Sequence, residues 1–350
     1  ITAAAKAERG GTLLGYYDES GLDAALANSG NDGATFTLLA NVEPNTCLTI
    51  QINCILNLGG HTITGYIGSN QCVCVDKNTA VTIRGEGEII SPNGIALAVD
   101  GNATLEGGTY TSTGSEDISH GVYVGPSATL SVTGEKVSIR NTSGGNGLVV
   151  VQAQSVRLSA GTYSGATEAI SNSEKLSDML AHTDNTRYAF FQNGIPVTKA
   201  SAWVDGNISD VPLDTSIAWL SGTVTVQECT HTGEGVCTYT HIKNTSTHTK
   251  TCLACGQTWT AENCTYTFSG ATGTCAACGD SVTVAVSGTE NLIYDGTEKK
   301  PGVTVMRGET ALTAGTDYTV AYTDNKNAGE NKATVTVTIG NGQGSYIQNF

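Results

Sequence analysis

The sequence has little charge, and positive charge is especially scarce. Only 14% of the 350 residues are charged, and 17 Lys and Arg stand against 32 Asp and Glu, which gives a formal net charge of −15. Because nucleic-acid binding depends on Lys and Arg that neutralise phosphates, this balance excludes nucleic acid as a partner. No run of about 18 apolar residues occurs, so the sequence predicts no membrane span.

Long helical patterns are also scarce. Gly accounts for 43 residues, and Thr, Ser, Asn and Val are abundant, whereas aromatic residues make up only 6%. This composition favours short strands and tight turns, so an all-β protein is expected, and the length favours two or three domains. Since the chain starts without a charged-then-apolar leader and ends inside a strand pattern, we expect it to be a piece of a longer secreted polypeptide.

A coil-like repeat fills the first two-thirds of the chain. Short apolar strands begin at Val73, Leu97, Val122 and Val149, which are 24, 25 and 27 residues apart. A polar turn, a second short strand and a glycine corner follow each of them. A period of this length is typical of a solenoid, whose stacked rungs bury a continuous apolar interior and leave a long exposed face suited to an extended polymer.

The residues around this repeat resemble a known architecture. In residues 53–65 the side chains of Cys54, Leu56 and Leu58 alternate inward, and Gly-Thr-Tyr corners follow at Tyr110 and Tyr163. These features resemble right-handed parallel β-helices of the pectin-lyase-like kind, over roughly residues 20 to 225. The resemblance implies a β-helix over residues 1–227 with an N-terminal cap.

Residues 173–197 extend this resemblance. Leu176, Met179 and Leu180 have helical spacing and Ser173 precedes them as a cap, which predicts a short helix near 173–182. Two strands about an Asn-Gly turn at Asn193 follow. The combination is similar to β-helix surface proteins of gut Firmicutes, and this implies a secreted or cell-surface location.

Residues 228–280 differ in composition from the repeat. They hold seven of the eleven cysteines and three of the six histidines, with too few apolar residues for a core. Two Cys-x-x-Cys-Gly knuckles, Cys252 to Cys255 and Cys275 to Cys278, are the signature of a zinc ribbon. The segment is therefore predicted to be a connector folded by structural zinc, with disulfides and free thiols as the alternatives.

The connector is also an internal duplication, because a Cys-Thr-Tyr-Thr sequence precedes each knuckle. The duplication suggests one metal in each unit. The first set of ligands would be Cys237, His248, Cys252 and Cys255. The second would be Cys264, Cys275 and Cys278 with a borrowed ligand, either Cys229 or His231. His248 precedes Cys252 by four residues, which we take as a workable ligand spacing, and the alternative histidine, His241, follows Cys237 by four.

From Ser281 onward, alternating strands return and predict a small β-sandwich over residues 281–350. The sequences 292–296, 317–320 and 327–329 are similar to the Ig-like modules of bacterial cell-surface proteins. This resemblance implies a repeated stalk module and does not indicate a ligand.

The candidate catalytic residues are few. Asp76 and Asp100 fall at equivalent places on consecutive rungs, and Glu116 and Asp117 stand near His120. A polysaccharide lyase of this architecture needs several carboxylates for calcium and a basic residue, and a hydrolase needs paired carboxylates. The candidates do not complete either set, although bound calcium would favour a lyase.

The sequence therefore favours a non-catalytic surface protein, an adhesin that binds an extracellular polymer such as a glycan or a host or bacterial surface polymer. Tyr110 and Tyr163 are candidates for a sugar-stacking face, with burial inside the repeat as the alternative reading. The competing hypotheses are a polysaccharide lyase or glycoside hydrolase acting on the β-helix face, and a structural stalk without a ligand.

Overall fold

The computed structural model describes residues 3–183, 185–290, 292–327 and 329–350. The protein is all-β, with 50% of its residues in strands and 4% in helices, as the composition predicts. The chain forms two compact units, one of residues 1–236 and 253–256 and the other of residues 237–252 and 257–350. The predicted boundaries at 227/228 and 280/281 concern smaller modules and stay predictions.

The first unit contains two α-helices, α1 (Glu19–Leu26) and α2 (Leu176–Met179), and a 3-10 helix over Ser29–Asn31. Its strands are β1 (Ala5–Arg9), β2 (Thr12–Tyr17), β3 (Ala34–Leu38), β4 (Leu48–Ile50), β5 (Cys54–Asn57), β6 (His61–Thr64), β7 (Gln71–Val75), β8 (Ala80–Arg84), β9 (Gly87–Ser91), β10 (Ile95–Val99), β11 (Asn102–Leu105), β12 (Thr109–Ser112), β13 (His120–Val124), β14 (Thr129–Val132), β15 (Ser138–Asn141), β16 (Asn146–Val150), β17 (Ser155–Leu158), β18 (Thr162–Ser164), β19 (Ile170–Asn172), β20 (Tyr188–Gln192), β21 (Ile195–Pro196), β22 (Lys199–Val204), β23 (Asn207–Pro212), β24 (Trp219–Leu220) and β25 (Thr223–Glu228).

These strands form a parallel β-helix of about five turns. Each turn adds one strand to each of three sheets. Sheet A has the order β17-β14-β11-β8-β5-β3-β1-β2, sheet B the order β21-β20-β25-β18-β15-β12-β9-β6, and sheet C the order β23-β22-β24-β19-β16-β13-β10-β7-β4. The rungs are parallel, and antiparallel strands extend each sheet at an end. The predicted solenoid is therefore confirmed.

The interior of the helix consists of apolar rows, one residue from each rung. In sheet C, Val73, Leu97, Val122 and Leu148 lie in register and are fully buried. The repeat in the sequence predicts Val149 in this row. The structure places Leu148 there, so the predicted alignment is wrong by one residue. Residues 148–151 are all apolar, so their pattern has no alternation that would identify the inward side, and a shift of one residue reverses the face.

The two helices of the first unit differ in how they begin. Helix α1 begins at Glu19, and the carboxylate of its N-cap residue Asp18 accepts the backbone N–H of Gly21 at 2.8 Å. In contrast, α2 is one turn long and has no side-chain cap. Ser173 does not cap it, because its hydroxyl accepts the N–H of Gln152 on the neighbouring turn.

The second unit contains strands only. They are β26 (Cys237–His241), β27 (Thr247–Cys252), β28 (Glu262–Asn263), β29 (Tyr266–Ser269), β30 (Thr272–Cys275), β31 (Ser281–Ser287), β32 (Gly302–Arg307), β33 (Thr310–Ala311), β34 (Tyr318–Thr323), β35 (Thr334–Ile339) and β36 (Gly344–Asn349). They form sheets β26-β27-β28, β29-β30-β31-β32-β33 and β34-β35-β36.

One small core joins the two later sheets of this unit. Its buried residues come from both sheets and include Val284, Val305, Val335 and Val337. Because β30 of the cysteine-rich segment pairs with β31, a single sheet runs across the predicted 280/281 boundary. The Ig-like assignment of this region stays a prediction.

Among the described residues, no helix is long and apolar enough to cross a membrane.

Candidate metal centre and polymer-binding groove

Four side chains of the second unit, one imidazole and three thiols, converge between its first two sheets. His248 lies on β27, Cys264 precedes β29, Cys275 ends β30 and Cys278 follows in the next turn. One ligand atom from each lies within 4.8 Å of all the others. The three cysteines are thiols and form no disulfide. We call these four residues the His248 cluster.

The spacing of the ligand atoms fits a tetrahedral metal. Cys264 Sγ lies 3.5 Å from His248 Nδ1 and 3.6 Å from Cys278 Sγ, and Cys275 Sγ lies 3.9 Å from His248 Nδ1. Metal–ligand bonds of the lengths found for zinc give tetrahedron edges of about 3.8 Å between two sulfurs and about 3.6 Å between sulfur and nitrogen. The cluster is thus compatible with a structural metal such as zinc.

The protonation of the thiols depends on their surroundings. Burial raises the pKa of Cys264 to about 12, with the neighbouring Cys278 adding to the effect. Burial also opposes ionisation of Cys275, but backbone N–H groups of the knuckle, such as those of Cys278 and Ala277, outweigh it and lower the pKa of Cys275. The knuckle therefore favours ionisation of Cys275 over that of Cys264, and a bound cation would favour the thiolate form of both.

The second nitrogen of His248 has its own partner. Its Nε2 lies 4.0 Å from Glu262 Oε2 on β28, and the edge of its ring meets Tyr239 with centroids 5.3 Å apart. A metal-bound histidine commonly directs its other nitrogen at a carboxylate, which fixes the ring orientation and the tautomer. Glu262 occupies that place beside the cluster.

A buried network of hydrogen bonds supports the Cys275–Cys278 knuckle. Arg307 Nε donates to Asp280 Oδ2 at 3.1 Å, and Tyr266 donates its hydroxyl to the same oxygen at 2.5 Å. Arg307 also donates to Ser246 Oγ at 2.6 Å. Because Asp280 follows Cys278 by two residues, the network fixes the C-terminal end of the knuckle against β29 and β32.

Asp280 also takes part in an overlapping group. It lies together with His241 and Cys264 within metal-binding distance, and His241 Nε2 is 3.7 Å from Asp280 Oδ1. Since Asp280 already accepts two strong hydrogen bonds and Cys264 belongs to the His248 cluster, we treat this group as the surroundings of that cluster.

The first unit has cysteine and histidine side chains of the same chemistry. Cys229, His231 and Cys255 have ligand atoms within 4.8 Å of one another, and Cys255 Sγ lies 3.5 Å from His231 Nδ1. Cys229 is buried. Cys229 and His231, which the sequence offered as borrowed ligands for the second knuckle, therefore accompany a cysteine of the first.

The structure also separates residues that the sequence placed in one site. His248 and Cys252 are both on β27, where four residues span about 13 Å, so one metal cannot bind both. Cys237 on β26 lies opposite Cys252 at the far end of that hairpin from His248. The histidine that lies with the second knuckle, Cys275 and Cys278, is His248. The assignment of Cys237 as a metal ligand stays a prediction.

Within the described part of the chain, the carboxylates considered for catalysis form no salt bridge with a basic side chain. Asp100 Oδ2 lies 3.9 Å from Cys74 Sγ. Glu116 and Asp117 are exposed, whereas His120 is 8% exposed and stacks on Tyr123, with ring centroids 6.2 Å apart. Burial lowers the pKa of His120.

Asp76 and Asp100 belong to no group of three or more His, Cys, Asp or Glu side chains within metal-binding distance among the described residues, and each such group contains cysteine. Calcium takes oxygen ligands. The calcium prediction stays a prediction.

Tyr110 and Tyr163 are inside the β-helix. Both are fully buried, and their hydroxyls donate to the carbonyls of Gly107 at 3.0 Å and Ala160 at 2.8 Å. Burial raises the pKa of both phenols. Their rings pack in the core and offer no face to a ligand.

A groove that the sequence analysis did not identify runs along the outside of sheet A. Thr82, Thr104, Ser131 and Arg157 lie in register on consecutive rungs and line a space of about 310 Å³. Their neighbours along each strand point into the core. We call these four residues the hydroxyl groove. The polar residue between two apolar residues in each of these four strands was its visible signal.

No protein-family model, curated protein or solved structure matches the chain. The fold and the clusters therefore define the class on their own: an all-β protein with a parallel β-helix and a cysteine–histidine group able to hold a metal.

Proposed function

We propose that this protein is a secreted or cell-surface protein that binds an extracellular polymer such as a glycan, without cleaving it, along its β-helix. The observation that carries the proposal is the hydroxyl groove. Its polar side chains repeat once per rung, about every 4.8 Å, on a rigid sheet. Such a row can exchange hydrogen bonds with successive hydroxyl groups of an extended chain.

The chemistry of the groove suits a neutral, hydroxyl-rich partner. Each Thr or Ser hydroxyl both donates and accepts, and Thr129 donates to Asn102 Oδ1 at 2.6 Å on the same surface. Arg157 is the one charged residue lining the space. A site assembled from polar groups at fixed positions selects ligands by hydrogen-bond geometry.

The test is binding of the full chain to a panel of neutral polysaccharides: starch, xylan, mannan and β-glucan. We expect one of them to retain the protein, and Thr104→Arg to weaken retention at least about tenfold by filling the groove. Ser138→Arg on sheet B adds the same charge to a different face and serves as the matched control. Equal losses in both variants would contradict a site on sheet A.

The same assay separates the alternatives. Release of new reducing ends or of unsaturated sugars would favour a glycoside hydrolase or a lyase. Absence of binding to every polymer would favour a structural stalk.

We further propose that the metal of the His248 cluster is zinc and that its role is structural. Four protein ligands close a tetrahedron and leave no position for a reacting water. The bound ion would hold together a segment with few apolar residues, between the β-helix and the predicted Ig-like module. Three cysteines and one histidine favour zinc over metals that prefer oxygen ligands.

A further inference from the structure

A second cavity lies at the end of the hydroxyl groove, and we infer that it binds the terminal pyranose ring of a neutral glycan. The inference rests on the proposed function, because it assigns the end of the chain that the groove would hold. The cavity measures about 320 Å³ and lies between the last rungs and α2. Its lining includes Val150, Arg157, Asn172 and Asp178.

The side chain of Asn172 carries the argument. It is 4% exposed, and its Oδ1 accepts the backbone N–H of Glu174 at 3.1 Å, which fixes the orientation of the amide. Its Nδ2 has no hydrogen-bond partner among the described residues. A buried amide donor without a partner is costly, so a ligand or a water that accepts its hydrogen bond would stabilise this arrangement.

Asn172 also interrupts an apolar row. It lies in register with Val150, and the preceding rungs carry Val124, Val99 and Val75 at the same inward position. Valine fills this inward position on four rungs without burying a polar group. Asparagine departs from this apolar pattern, and such departures are common at functional positions.

The remaining lining suits a sugar ring. Val150, Val156 and Met179 form its floor and are almost fully buried, so the apolar surface they offer to ring C–H groups is small and most of the lining is polar. Charged side chains surround it, namely Arg157, Glu174, Lys175 and Asp178, all of them exposed. None of the four forms an ion pair within the described part of the chain.

The balance of these charges indicates a neutral ligand. Two cations and two carboxylates cancel, so neither an anion nor a cation is selected by net charge. A sugar hydroxyl both donates and accepts, and the rim offers partners for each role. The volume is near the lower limit for ligand pockets, which fits one ring rather than a length of chain.

The cavity is continuous with the groove. Ser155 and Arg157 line both spaces. A chain lying along Thr82, Thr104 and Ser131 would therefore reach the cavity at Arg157, with its last sugar beside Asn172.

The experiment measures monosaccharide binding by saturation-transfer NMR on the full chain. The probes are methyl glucoside, methyl galactoside, methyl mannoside and methyl xyloside, with glucuronate and glucosamine as charged comparisons. We expect a neutral glycoside to bind, and Asn172→Val to weaken it about fivefold to tenfold. Arg157→Gln should weaken it as well. Ser171→Val, on the same strand but facing outward, is the matched control.

The outcomes distinguish this inference from the proposed function. Thr104→Arg should weaken polymer retention at least about tenfold while leaving monosaccharide binding unchanged. Asn172→Val should weaken monosaccharide binding while the groove still retains internal segments of the polymer. The inference is overturned if Asn172→Val binds the glycoside as the parent does. It is also overturned if no neutral glycoside binds. A higher melting temperature of Asn172→Val would then indicate that the amide of Asn172 binds a water.

Discussion

The two compact units fold on different physical grounds. The β-helix buries apolar rows along about five turns, and each rung repeats the packing of the one before it. The second unit has one small core, and two of its buried members, Cys264 and Cys275, belong to the His248 cluster. The comparison teaches that repetition can build a long apolar core from short strands, whereas the second unit combines a small core with cysteine and histidine side chains that are compatible with a structural metal.

Metal removal should separate the two units most clearly. Excess phenanthroline or EDTA should unfold the second unit, because structural zinc contributes about 10–16 kcal/mol to the folding of small zinc domains. The β-helix should stay folded. NMR amide dispersion, assigned by unit, measures both effects in one sample. A second unit that keeps its dispersion after the metal has been removed would contradict the comparison.

Breaking the hydrogen-bond network around Asp280 should give the next largest effect on stability. In Asp280→Ala, Arg307 keeps a buried charge without its partner, and this costs about 3–5 kcal/mol of the free energy of unfolding. The side chains of Asp280 and Arg307 are 6% and 12% exposed. Urea unfolding of the second unit measures the change. Glu298→Ala, in an exposed pair with Lys300, is the control and should shift the midpoint much less.

A cavity in the β-helix core should destabilise only the first unit. Leu148→Ala removes a fully buried side chain and should cost about 2–5 kcal/mol. Val149→Ala, one residue further on, removes a smaller side chain that is 9% exposed and lies outside the core cluster, so it should cost less. Urea unfolding of the first unit gives both values, and the metal content should not change. Equal costs would contradict the register in which Leu148 points inward.

The smallest expected effect is a pH dependence at His120. Burial lowers its pKa in the folded state below the ordinary value of 6.5, so the unfolded chain binds the proton more readily. The stability is complete above pH 6.5 and falls as the pH drops toward the folded pKa, by less than about 1.4 kcal/mol per pH unit. Urea midpoints at pH 7.5 and 5.5 should differ more for the parent than for His120→Phe. A matching difference in both would assign the effect to other groups.

The β-helix could be predicted because its signal is repeated. Because the period recurs at Val73, Leu97 and Val122, an error in the alignment of one rung does not change the predicted fold. The register at Leu148 could not be predicted, since four successive apolar residues show no alternation. The length of α2 also depended on tertiary contacts, because Ser173 bonds across to Gln152 instead of capping the helix.

The metal cluster could be predicted only in part. Cysteine knuckles are visible as local sequence, and Cys275 and Cys278 do meet Cys264. The histidine was misplaced in the ligand set because sequence spacing does not reveal that residues 248 and 252 lie on one extended strand. Asn172 was missed for a similar reason, since its contrast with the valine row appears only after the rungs are aligned.

The most direct test of the central claim is the zinc content of the purified chain beside that of Cys275→Ser and Cys237→Ser, with thiols counted under denaturing conditions. The account predicts that Cys275→Ser loses one zinc per chain relative to the parent, whereas Cys237→Ser keeps it, and that the parent's cluster thiols titrate only after chelation. A parent without zinc and with its cluster cysteines oxidised would contradict the account and make the segment a disulfide-linked connector.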